Sequence, residues 1–128
     1  MKAEDYMTKA TRALASARLL LEAGDCDGAC NRAYYAMFDA AHAALISANA
    51  GTNPATTKTH RGLIAAFGEH LVKTGLLPVE LGRSLNQVER MRLLADYTGE
   101  EVDIDNAKKA VSQADNFVSA VQQRFPHG

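Results

Sequence analysis

Residues 26–48 read CDGACNRAYYAMFDAAHAALISA, and this stretch governs the architecture that we expect for the chain. Its apolar and small residues recur at spacings of three and four, which is the period of one helix face. Alanine, the commonest residue here, favours helix because it loses no side-chain entropy. Small side chains also allow a neighbouring helix to approach closely. The stretch therefore predicts a long helix that packs tightly against its neighbours.

Similar patterns on both sides of this stretch predict further helices, which are separated by short breaker segments. The five predicted helices span about residues 2–23, 25–48, 57–74, 78–97 and 103–124, where Asp25 or Asp27 caps the second and Asp103 or Asp105 the fifth. Breaker residues predict a loop from Asn49 to Thr57. Long amphipathic helices with short connections predict an all-α fold, an up-and-down antiparallel bundle of four to five helices. At this length we expect residues 1–128 to form a single domain.

The composition excludes several classes of protein. The formal net charge is −1, so bulk positive charge gives no reason to expect a nucleic-acid binder. Because the chain has no apolar run of about 18 residues and no signal peptide, we expect no membrane association and a cytoplasmic location. We interpret Cys26 and Cys30 as small buried hydrophobic residues rather than as metal ligands. We expect neither a metal nor a cofactor, since no histidine lies in a metal-type motif; the four are His42, His60, His70 and His127.

Two polar clusters interrupt the apolar patterns. Arg32, Tyr35 and Asp39 follow spacings of three and four, so they share one face of the second helix. Spacing alone favours a solvated Arg32 and Asp39 beside a boundary Tyr35. Arg92 and Asp96 are spaced as an ion pair on the fourth helix, a pair that contributes little when exposed. If this pair is buried instead, a functional role becomes the better interpretation.

Three stretches, taken together in their order and spacing, resemble one protein family. They are RAYYAMF at 32–38, KTHRGL at 58–63 (followed by Phe67 and by KTG at 73–75) and RLLADY at 92–97. They resemble the HEPN family (higher-eukaryote and prokaryote nucleotide-binding domain), in particular its small stand-alone prokaryotic branch. The resemblance covers nearly the whole chain.

The resemblance implies a helical homodimer that acts on RNA or nucleotides. Many HEPN proteins are metal-independent ribonucleases, and several are the toxin of a toxin–antitoxin or defence pair. Their partner is often a minimal nucleotidyltransferase, which serves as the antitoxin. The residues that this implies for catalysis are Arg90, Arg92, Asp96 and Tyr97. Those that it implies for binding RNA or a nucleotide are Arg32, Tyr35, Asp39, Lys58 and His60.

The sequence departs from the family pattern at one position. Active members carry an arginine followed, after four to six residues, by a histidine, whereas Ala95 occupies the histidine position here. An arginine can still stabilise the phosphorane charge of RNA cleavage. Neither aspartate nor tyrosine readily replaces the histidine as a proton carrier at neutral pH. His60 supplies the missing group if the third helix reaches the same cleft. The alternative is a catalytically silent interaction or nucleotide-sensing module whose Arg/Asp cluster is structural.

Overall fold

The computed structural model describes residues 1–126 of the chain; His127 and Gly128 lie outside the described residues. Within this range the fold is all-α, as predicted. Four long helices form the bundle: α1 (Ala3–Glu22), α2 (Cys26–Ser47), α5 (Val79–Thr98) and α6 (Ile104–Arg124). Two short helices, α3 (Pro54–Thr57) and α4 (His60–Phe67), connect α2 to a π-helical turn at Gly68–Val72. None of these helices is long and apolar enough to cross a membrane.

The α2 helix lies at the centre of the bundle. It packs against α1, α4, α5 and α6, and twelve of its 22 residues are buried. Seven of the twelve are alanines, which give the neighbouring backbones close access. The larger buried side chains of α2 include Tyr34 and Met37, both without solvent exposure. Tyr34 lies where α4 and α5 pack on the central helix, since it contacts His60 of α4 and Arg92 of α5.

Side-chain caps fix where the helices begin. The Asp25 carboxylate accepts a hydrogen bond from the backbone N–H of Gly28, and Asp103 does the same for Asn106. Asp27 does not cap the helix. Its Oδ1 accepts a hydrogen bond of 2.7 Å from the N–H of Val102, which lies in the loop between α5 and α6. This hydrogen bond ties the end of α5 to the beginning of α2.

The region between α2 and α5 differs from the prediction. The predicted loop at 49–57 contains α3, because Asn53 caps a single helical turn that begins at Pro54. The predicted third helix at 57–74 is interrupted at its start and ends as the π-helical turn. Thr59 caps α4 through its hydroxyl, which accepts from the Gly62 N–H at 3.0 Å. The break brings His60 to the first position of α4, facing α2.

Candidate functional site

The candidate site centres on the hydroxyl group of Tyr34. The Tyr34 side chain is fully buried, and its Oη lies 2.7 Å from Nδ1 of His60 and 3.2 Å from Oε2 of Glu89. Because the phenol has one proton, it donates to Glu89 and accepts from the Nδ1–H of His60. We assign this tautomer from the hydrogen-bond network. It leaves Nε2 of His60 without a proton.

The surroundings keep both Tyr34 and His60 neutral at neutral pH. Burial, and next to it Glu89, raises the pKa of Tyr34 far above its usual value. Burial and the nearby Arg92 lower the pKa of His60 below 6.5. A neutral imidazole with a free Nε2 can accept a proton, which is what a general base requires.

Arg92 packs against the ring of Tyr34. Its guanidinium carbon is 4.8 Å from the centroid of Tyr34 and 5.9 Å from that of Tyr35. The side chain is 14% exposed, and Nη1 lies 3.4 Å from Oδ2 of Asp96, which is 63% exposed. The buried Nε has no hydrogen-bond partner within residues 1–126. Arg92 is thus held by a single 3.4 Å contact to Asp96 and by the tyrosine rings, and its guanidinium is the group that can match a phosphate.

A row of aromatic rings extends from this centre along α2. The centroid of Phe38 lies 4.7 Å from that of His60 and 5.0 Å from that of His42. His42 in turn stacks on Tyr6 of α1 at 4.6 Å, with the ring planes 10° apart. All four of these rings are half-buried, so each presents an edge or a face to solvent. Such a row provides stacking surface for nucleobases. We call the rings of His60, Phe38, His42 and Tyr6 the aromatic row.

Four of the residues proposed from the sequence lie around this centre. His60 and Arg92 both contact Tyr34, and Asp96 pairs with Arg92. Tyr35 lies between two guanidinium groups, since that of Arg32 is 5.8 Å from its centroid and that of Arg92 is 5.9 Å away. Arg32 is thereby at the edge of the same cluster. The first residue of α4, His60, and Arg92 of α5 thus contact the same side chain, Tyr34.

Other proposed residues lie elsewhere. Arg90 is exposed and lines a groove with Gly82 and Arg83, apart from Tyr34. Tyr97 is 86% exposed at the end of α5, and Lys58 lines a cavity beside Tyr6. Two residues apart on a helix point in different directions, so Arg90 and Arg92 do not share a face.

The expectation that Asp39 is solvated is wrong. The residue is only 8% exposed, because α2 is covered on more than its apolar stripe. Burial raises the pKa of its carboxyl group, and the nearby positive charges of Lys9 and Arg32 lower it by less. Neither cation lies within ion-pair distance in the described residues. Asp39 is therefore a buried carboxyl group without a close ion pair.

Sequence analysis missed Tyr34 and Glu89. Tyr34 falls on the apolar stripe of α2, so the helix period predicts a core ring. The period gives no information about the partners of the hydroxyl group. Glu89 lies three residues before Arg92, a spacing that puts both on one face of α5. This spacing, together with a tyrosine on another helix, is the feature of the sequence that could indicate the cluster. Tyr34 makes the hydrogen bond that orients His60, and Glu89 accepts the proton of the Tyr34 hydroxyl.

The described residues offer no cluster of three or more His, Cys, Asp or Glu side chains that could hold a metal ion. Cys30 is buried and Cys26 is half-buried, both as free thiols. Burial and the nearby Asp27 raise the pKa of the Cys30 thiol to about 11, so it remains protonated at neutral pH. The burial of Cys30 agrees with its interpretation as a small hydrophobe.

The fold is thus a bundle of long helices in which an arginine and a histidine contact a buried tyrosine. The sequence model of the HEPN domain matches residues 3–124, and the chain belongs to the HEPN family. A UPF0332 protein of Gloeobacter violaceus is 34% identical over 122 residues, which cover 94% of this chain and 93% of the relative. A UPF0332 protein of Thermotoga maritima is 33% identical, covering 94% and 88%. A Methanocaldococcus jannaschii protein named "Putative toxin MJ0605" is 33% identical, covering 86% and 78%. The family resemblance inferred from the sequence is confirmed.

Proposed function

We propose that this chain is the toxin component of a two-component system and acts on RNA through the site around Tyr34. Two relatives from Methanocaldococcus jannaschii carry the word toxin in their names, which supports the first part. The observation that carries the second part is the contact of both His60 and Arg92 with the same side chain, Tyr34. The chain acts as a single domain in the cytoplasm.

The chemistry that fits this arrangement is cleavage by the 2′-hydroxyl of RNA. Nε2 of His60 takes the proton of the 2′-OH while the 2′-oxygen attacks the adjacent phosphorus. The bond from phosphorus to the 5′-oxygen breaks, and the leaving oxygen takes a proton from water. The products are a 2′,3′-cyclic phosphate and a 5′-hydroxyl. Arg92 stabilises the extra negative charge on the phosphorane. His60 thus takes the role for which α5 lacks a histidine.

Two partners complete the proposal: a second copy of the chain and an antitoxin of the nucleotidyltransferase type. The homodimer is supported by the second half of α5, where every residue from Glu89 to Thr98 is half-buried or exposed. Leu94 is 58% exposed and Tyr97 is 86% exposed on this segment. The antitoxin is supported by the family and by the names of the two relatives.

The deciding experiment is RNA cleavage by the purified protein in excess chelator. We expect Arg92→Ala to lower the cleavage rate about 100-fold or more, the usual cost of removing a donor that stabilises transition-state charge. Arg90→Ala is the matched control, since it removes a guanidinium two residues away that does not contact Tyr34; its rate should stay within about threefold of the original protein. Circular dichroism checks that both variants remain helical.

The alternative function is a catalytically silent module that senses a nucleotide or binds a protein. The contact of Arg92 with the buried Tyr34 ring favours it, since such a contact also stabilises helix packing. The same assay separates the two functions. No cleavage above background by the unmodified protein, together with a lower melting temperature of Arg92→Ala, would establish the structural interpretation.

A further inference from the structure

A cavity of about 330 Å³ lies at the far end of the aromatic row. It is bounded by the beginning of α1, the second half of α2 and the segment that contains α3. Tyr6 and His42 form one wall, and Leu45 and Ile46 of α2 add apolar surface. Its volume falls in the range of about 300 to 1,000 Å³ that is usual for small-ligand sites. Residues 90, 92, 96 and 97 do not line it.

The charged groups that line the cavity indicate which kind of ligand it can bind. Lys58 is exposed at the rim, and the described residues that line the cavity include no carboxylate. Two aromatic side chains, apolar side chains and the Lys58 ammonium in the lining suit an aromatic ring that carries a negative group. A nucleotide has both parts, with its base for the wall and its phosphate for Lys58.

The aromatic row connects this cavity to the site at Tyr34. Two ring contacts, of 4.7 and 5.0 Å, lead from His60 through Phe38 to His42, which is itself part of the cavity wall. Lys58 lies on the short connection between α3 and α4, and His60, the first residue of α4, is only two residues further on. One nucleic-acid strand can therefore touch both places with neighbouring nucleotides. A free nucleotide in the cavity would have no reason to reach His60.

We propose that this cavity holds the base of the nucleotide next to the phosphodiester bound between His60 and Arg92, and so sets the base preference of the protein. The inference rests on the function proposed above. The occupant is an RNA strand, with Tyr6 and His42 contacting its base and Lys58 its phosphate.

The test measures binding of fluorescent ten-nucleotide homopolymers of each base, in chelator, by anisotropy. Thr52→Trp fills the cavity from the loop between α2 and α3. It should weaken binding of the preferred homopolymer about fivefold or more and reduce the differences between bases. Lys58→Ala should weaken binding and lower its salt dependence by about one phosphate contact. The control Lys108→Ala removes an exposed lysine of α6 that does not line the cavity, and binding should be unchanged.

Ring-proton NMR signals of His42 and His60 locate the strand, after assignment by single histidine substitutions. The proposal expects both signals to shift when the homopolymer is added, with mononucleotides shifting them far less. If the homopolymer shifts His60 alone and Thr52→Trp binds normally, the cavity proposal is overturned while the function at Tyr34 stands. If a mononucleotide shifts His42 and no homopolymer binds, both are overturned in favour of a free-nucleotide site. If neither ligand shifts either signal, both are also overturned.

Discussion

Tyr34 determines what His60 can do, because its hydroxyl fixes which nitrogen of the imidazole carries the proton. Tyr34→Phe removes Oη and keeps the ring that lies under Arg92. We expect the helical signal to be retained and the RNA cleavage rate to fall about 10- to 100-fold, since a misdirected base loses most of its contribution. The physical reason is that the Nδ1–H of His60 loses its acceptor.

A spectroscopic measurement separates this positioning role from a structural one. Nitrogen-15 NMR of His60 should show one neutral tautomer, with Nδ1 protonated, in the original protein. In Tyr34→Phe it should show a mixture of the two tautomers. A rate loss with an unchanged tautomer would contradict the assignment of Tyr34 as a positioning residue.

The pH dependence of cleavage follows from the pKa of His60. Burial and Arg92 place this pKa below 6.5, and the base form is the deprotonated one. The cleavage rate should therefore decline as the pH falls and His60 takes up a proton, and it should do so at a lower pH than for an ordinary histidine. His70→Ala, a histidine of the π-helical turn, should keep this profile. An activity that rises as the pH falls from 7 would exclude His60 as the base.

Asp39 should cost the protein stability at neutral pH. Burial raises its pKa in the folded state above the ordinary value for an aspartate, so the protonated form is the one that folding favours. The stability gained from that form is present at low pH and is lost as the pH rises through the folded pKa. We expect Asp39→Asn to raise the free energy of unfolding at pH 7, with a smaller gain near pH 4.

Urea denaturation at the two pH values measures this difference. Glu69→Gln is the control, because Glu69 is an exposed carboxylate and its loss should change little at either pH. A destabilised Asp39→Asn at pH 7 would show that Lys9 and Arg32 outweigh the burial of the carboxyl group.

At the scale of the elements, the junction of α3 and α4 depends on Gly62. A Cβ atom at this position would collide with the carbonyl oxygen of Thr56 and would lie 2.6 Å from Oγ1 of Thr59. The carbonyl is backbone and cannot move by a side-chain rotation, so the two short helices would have to separate. We expect Gly62→Ala to destabilise the protein by about 1 to 3 kcal/mol. It should also lower RNA cleavage, because His60 moves with α4.

Gly68→Ala is the matched control for this substitution. Gly68 is also helical, but a Cβ there meets nothing within 4 Å. Alanine loses less backbone entropy than glycine on folding, so this variant should be neutral or more stable by up to about 1 kcal/mol. Thermal unfolding of the two variants side by side checks both expectations. Equal stability of the two variants would refute the collision at Thr56.

The long helices could be predicted from the sequence because their cause is local. The periodic apolar residues and the capping aspartates at 25 and 103 act within a few positions of each other. The one-turn α3 could not be predicted in the same way, since a single turn leaves no period to detect. Its capping residue and Pro54 are also residues that break helices elsewhere.

The candidate site could be predicted only in part, because burial is a property of the whole bundle. His60 and Arg92 were identified from the family resemblance, as charged or titratable groups. The Tyr34 hydroxyl and the Asp39 carboxyl were missed or misread, since helix spacing does not show how far the neighbouring helices cover α2. Arg90, which the family resemblance also implies for catalysis, lines a different groove, with Gly82 and Arg83.

At the scale of the whole molecule, the second half of α5 carries apolar surface that the bundle does not cover. Leu94 and Tyr97 are exposed there, within a few residues of Arg92. A contact between two such segments, related by a two-fold axis, would bury this surface and bring two copies of the site together. We expect the purified protein to sediment at twice its chain mass of 13.8 kDa.

Leu94→Glu tests this expectation, because a carboxylate placed in an apolar interface must lose its hydration. The variant should sediment as a monomer with an unchanged helical signal, and RNA cleavage should fall with the loss of the dimer. Leu19→Glu is the matched control: Leu19 is 66% exposed on α1, away from this segment, and its variant should remain a dimer. A dimer that survives Leu94→Glu and dissociates in Leu19→Glu would move the interface to α1. The RNA site would then have to function within one chain, with His60 and Arg92 of the same copy.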